Sequence, residues 1–104
     1  MITKMTKPYV EFRQLLNSRQ LDNFRATLKN RFTDGDLARG QLMVIELGSE
    51  TLFHVYVDLD RDVIWLLGGH WVRQGEEGQR ARYHSEMEDL VRRISKGEDV
   101  AVGT

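Results

Sequence analysis

The chain contains no cysteine, which removes disulfide frameworks, thiolate metal sites and thiol nucleophiles together. No apolar run approaches the roughly 18 residues that a membrane-spanning helix needs, and Met1 to Lys7 carries no hydrophobic signal core, so the expected location is the cytoplasm. Net charge is nearly absent too: 15 Lys and Arg against 16 Asp and Glu leave -1 at neutral pH. Overall charge therefore does not drive the chain onto nucleic acid or an anionic membrane, and either role needs a local patch. Internal repeats, low-complexity stretches and the G-x-S-x-G, P-loop and dinucleotide fingerprints are likewise missing, so no cofactor is expected.

What is present is one domain's worth of chain. Its 104 residues are 40% hydrophobic and 30% charged, the composition of an ordinary globular protein. Thr6 and Pro8 form a cap followed by a first-turn proline, and Tyr9, Phe12, Leu15 and Leu16 recur at helical spacing, which predicts a helix over about 8 to 17. After the capping residues Asn17 and Ser18, the stripe Leu21, Phe24, Leu28 and Phe32 predicts a second helix over about 19 to 32. Asp34, Gly35 and Asp36 then signal a turn.

From Gln41 the texture changes to short runs of Val, Ile, Leu and aromatics. Strands are expected at about 41 to 47, 51 to 59 and 63 to 67, and connections of about three residues make them antiparallel neighbours. The middle strand places Phe53, Val55 and Val57 on one face and His54, Tyr56 and Asp58 on the other. Gly68-Gly69 predicts a bulge or bend before Trp71 and Val72 resume the strand. Residues 74 to 80 read as a loop. Tyr83, Met87, Leu90, Val91 and Ile94 mark a last helix, with Ser85 and Glu88 at capping-box spacing near its start and Gly97 as its C-cap. The expected architecture is α+β in the order α-α-β-β-β-α. It is a three-stranded meander with a bent strand extension and with helices on one face. Residues 1–97 form the domain, with Phe24 and Leu28 packed on Phe53, Val55 and Val57; residues 98–104, without apolar anchors, form a frayed tail.

Three constellations carry chemical meaning. Asp58-Leu59-Asp60-Arg61-Asp62 has the spacing that opens a calcium loop, but Val63 and Gly69 stand where the turn glycine and bidentate Glu belong, so the reading is a hairpin turn whose Asp residues bond the local backbone. His54 and His70 share a nominal face with Asp58, and this trio is the candidate for a two-histidine, one-carboxylate metal site or for acid/base catalysis. Charge is also segregated, +4 over residues 1–40 and -4 over 41–72. Arg19, Arg25, Lys29 and Arg31 on the second helix are accordingly the candidate nucleic-acid contacts.

Tyr56, His70, Trp71 and Arg73 gather around the glycine bend as the candidate partner-binding surface, because Tyr and Trp bring large area at low entropy cost. Trp65, aligned with Val63 and Leu67, belongs to the core. The leading expectation is a small non-catalytic protein that binds another protein and self-associates through a strand edge. The alternatives are an enzyme or metal-binding domain on the histidines and a nucleic-acid regulator on the second helix.

Overall fold

A computed structural model describes residues 2–33, 35, 40–58, 60–72 and 77–102. The elements in chain order are β1 (Ile2–Met5), α1 (Lys7–Arg13), α2 (Ser18–Thr33), β2 (Leu42–Leu47), β3 (Thr51–Asp58), β4 (Val63–Trp71) and α3 (Glu77–Ser95). The helix starts follow from their caps. The Thr6 hydroxyl accepts from the Tyr9 N–H at 3.5 Å, with Pro8 in the first turn of α1. Asn17 and Gln20 form a reciprocal box at the start of α2: the Gln20 N–H donates to Asn17 Oδ1 at 2.8 Å, and the Asn17 N–H donates to Gln20 Oε1 at 2.9 Å. Gly97, at φ +92°, closes α3 while its N–H donates to the Ile94 carbonyl.

The sheet is four-stranded, in the order β1-β4-β3-β2. The meander β2-β3-β4 is antiparallel as the short turns require, but β1 is added in parallel to β4, with Ile2 opposite Val63 and Met5 opposite Leu66. The three-stranded expectation is corrected to a mixed four-stranded sheet within the same α+β class. β1 escapes periodicity because Ile-Thr-Lys-Met has no alternation and its partner lies some sixty residues away.

Helices cover both faces, which corrects the one-faced expectation. On one face Tyr9 and Phe12 of α1 and Phe24 of α2 pack on Ile45, Phe53, Val55 and Leu66. The Phe24 and Phe53 rings stack at 3.9 Å, as the amphipathic pattern of α2 implies. On the other face Met87 and Ile94 of α3 pack on Tyr56, Val63, Trp65 and Leu67. β3 is therefore buried along its whole length.

The glycine pair is what lets helices approach from both sides. Pairing shifts register between His54 and Val55, so Leu67 is the extra residue of a bulge. A Cβ on Gly68 would lie 2.6 Å from Tyr83 Oη on the α3 side. On Gly69 it would lie 2.4 Å from the Phe12 ring on the α1 side.

Two further boundaries differ from expectation. α3 begins at Glu77, not at 85 or 86, because Glu77 to Arg82 have Ala81 as their one apolar residue and so offer no apolar periodicity. The tail expected to fray is attached: the Val102 N–H donates to the Met5 carbonyl, Ala101 bridges Thr6, and Val100 and Ala101 pack against the α3-side core. The turn Asp34 to Asp36 lies mostly outside the described residues, and so do residues 73–76.

Candidate functional site

The two faces carry two different constellations. Between α2 and the β1–β4 half of the sheet lies an open groove of about 460 Å³, within the usual size range of ligand clefts. Its base is apolar, built from Met5, Phe24, Leu28, Ile64 and Leu66, and Phe32, 42% exposed, stands at one end. The groove exists because α2 seats Phe24 on β3 and leaves the flank toward β1 uncovered. Three cations border it: Arg25 and Lys29, one helical turn apart on α2, and Arg13 on α1. Among the described residues no carboxylate pairs with any of them. Arg13 Nη1 instead reaches the Met5 sulfur at 3.2 Å. Burial raises the Tyr9 phenol above its ordinary pKa, while the nearby Arg13 and Arg25 pull the other way.

Under α3 lies a layer of imidazoles. His54 on β3, only 2% exposed, meets His84 on α3 with Nε2 and Nδ1 3.3 Å apart. The outer nitrogen of His84 faces a Glu88 carboxylate oxygen at 3.0 Å. His70 on β4 stacks beside His54, ring centroids 6.2 Å apart, and against the Tyr83 ring at 4.0 Å. Tyr83 Oη donates to the Gly69 carbonyl at 2.7 Å, and burial pushes its pKa up to about 12. Burial, followed by the neighbouring His84 and His70, lowers the His54 pKa to about 4; burial and then Arg80 lower that of His70. His54 Nδ1 and both nitrogens of His70 are buried without a hydrogen-bond partner.

No protein-family model and no curated protein matches this chain. The reading of both constellations rests on their geometry.

Of the residues expected at a metal or acid/base site, the fold brings His54 and His70 together and leaves Asp58 out. Asp58 lies four residues along β3, on the order of 13 Å away at strand rise. It holds the Arg61 side chain at 2.7 Å and the Arg61 N–H at 3.2 Å, while Arg61 also caps the Ile94 carbonyl at the end of α3. Bonding of Asp58 to the local backbone is the behaviour the turn reading implies. Among the described residues no group of three or more His, Cys, Asp or Glu is arranged to hold a metal ion.

The residues expected to form a partner surface are split between faces. Tyr56 is buried beneath α3, at 8% exposure, and His70 joins the imidazole layer. Trp71 sits on the opposite face with its ring 5.2 Å from that of Phe12, and Arg73 lies outside the described residues. Of the four α2 cations only Arg25 and Lys29 border the groove; Arg19 and Arg31 do not.

Sequence reasoning missed Arg13, whose relation to Arg25 and Lys29 depends on how α1 packs beside α2. It also missed His84, for which a signal existed: His84, Met87, Val91 and Ile94 follow the buried stripe of α3 at i, i+3, i+7 and i+10.

No described helix is long and apolar enough to cross a membrane.

Proposed function

We propose that the protein is a non-catalytic binding module that captures an acidic, amphipathic segment of a partner protein in the groove between α2 and β1–β4. The observation that carries this reading is the set of three cations, Arg13, Arg25 and Lys29, which have no carboxylate partner among the described residues and surround an apolar base. A segment with apolar anchors would bury Leu28, Phe32 and Ile64, while its carboxylates would meet the rim, where charge governs specificity and on-rate. A nucleic acid fits less well. Of the aromatic rings lining the groove, Tyr9 and Phe24 are buried and only Phe32 is exposed enough for a base to stack on, whereas successive bases need several platforms, and Asp22 interrupts the α2 cations. Against an enzyme stands the position of the histidines: none of the described clefts is lined by His54, His70 or His84.

The test is charge reversal. With a partner recovered from the native host, Arg25→Glu with Lys29→Glu weakens binding at least about tenfold, while Arg19→Glu, exposed on the same helix but off the groove, changes it less than about twofold. Equal effects of the two substitutions would contradict the groove.

Self-association is the second reading. β2 is an edge strand, with Val44 39% exposed on it, and pairing of two β2 edges about a two-fold axis would extend the sheet. Sedimentation of the free protein decides it: a monomer at high concentration removes this reading.

A further inference from the structure

The imidazole layer lies on the opposite side of the sheet from the groove, and it places three titratable rings between α3 and the sheet. The proton bookkeeping of the layer is constrained by its geometry. With His54 and His84 neutral, the 3.3 Å contact holds one shared proton, and the outer N–H of His84 donates to Glu88. A first added proton has a place to go. With both nitrogens of His84 protonated, the outer N–H still donates to Glu88, the inner N–H donates to His54 Nε2, and the proton of His54 moves to its Nδ1, so each of the two contacts keeps one donor and one acceptor.

A second proton has no such place. On His54 it removes the acceptor at the contact and sets two cations against each other at that distance. On His70 it charges a ring whose buried nitrogens have no acceptor at all. Among the described residues, the charged and titratable groups around the layer do not relieve this. On α3, Arg80 is a further cation, Tyr83 donates to the Gly69 carbonyl, Glu86 lies at the solvent side and Glu88 is already engaged by His84. On β2, Glu46 is paired with Arg80 at 3.3 Å. On β3 and β4 the nearest carboxylate of this face is Asp58, held by Arg61 at the far end of the strand.

We propose that His54, His70 and His84 form an acid-sensitive latch, which holds α3 on the sheet while the layer carries at most one extra proton and releases α3 when it takes up a second. The opposite face has no imidazole among its described core residues: it is closed by Phe, aliphatic and Tyr9 contacts, burial keeps the Tyr9 phenol protonated on acidification, and α1 and α2 stay in place. The latch is independent of the groove, so failure of either leaves the other standing.

Amide hydrogen exchange of the full chain at about pH 7.5 and about pH 5, each corrected for intrinsic exchange, tests it. The expected result is that residues 77–95 lose protection at least about tenfold on acidification while α2 changes less than about twofold. His84→Gln, a substitution at a half-exposed position, reduces the α3 response at least about threefold, and His54→Gln with His84→Gln abolishes it. Should the double variant fail to fold, the single variant decides. Unchanged protection of α3, parallel loss in α2, or a full response in His84→Gln overturns the proposal.

Discussion

The two faces of the sheet bury comparable stretches of the same strands by different chemistry. The α1–α2 face is closed by hydrocarbon and aromatic rings, with Phe24 on Phe53 at its centre, and Arg13, Arg25 and Lys29 stand at its rim without a carboxylate partner among the described residues. The α3 face buries His54, Asp58 and Tyr56 and must satisfy them, through His84, through Arg61 and through packing against α3. An apolar face tolerates changes of solution conditions because little in it titrates, whereas a face sealed with imidazoles depends on its protonation state. The fold thus sets an apolar face against a titratable one across a single sheet.

The largest effect separating the faces is expected at Phe24. Phe24→Ala removes a ring that is 1% exposed and stacked on Phe53, and it costs about 3 to 5 kcal/mol. Denaturant melts measure this, and a loss under about 1 kcal/mol would show that α2 does not close its face.

The next effect belongs to the other face and depends on pH. The folded-state pKa of His54, about 4, lies below its ordinary 6.5. The unfolded chain therefore binds more protons on acidification, so the contribution is complete above about pH 6.5 and is lost as pH falls through about 4. It amounts to roughly 3 kcal/mol across that window. Melts of the parent and His54→Gln at neutral and acidic pH should show the parent losing this advantage; parallel pH profiles would erase the distinction between the faces.

The smallest effect concerns the C-terminal segment. Deleting residues 98–104 removes the Val102 to Met5 hydrogen bond and the packing of Val100 and Ala101, and costs about 1 kcal/mol. A truncated chain with an unchanged midpoint would show that this contact adds nothing.

How much of this was legible in the sequence follows the same division. The Phe24 and Leu28 stripe names its own partner face, because a 3.6-residue repeat over an alternating strand leaves one solution. The glycine pair announced the bulge, since two adjacent residues without side chains in an apolar strand mark a close approach. The α3 face was legible in its apolar part, the Met87 and Ile94 stripe and the Trp65, Val63 and Leu67 row, but not in its polar part. His54, Tyr56 and Asp58 alternate like a solvent-facing edge, and their burial depends on His84 and Arg61, which local pattern cannot bring to them. Nor does a list of cations tell Arg25 and Lys29, at the groove, from Arg19 and Arg31, away from it.

Site-specific photo-cross-linking in the native host tests the central claim most directly, with the cross-linker placed at Phe32 beside the groove and, separately, at Val44 on the β2 edge. The account predicts that Phe32 captures a partner peptide combining carboxylates with spaced apolar residues, and that Val44 does not. Capture from Val44 alone, or of a second copy of this chain from both positions, would contradict it.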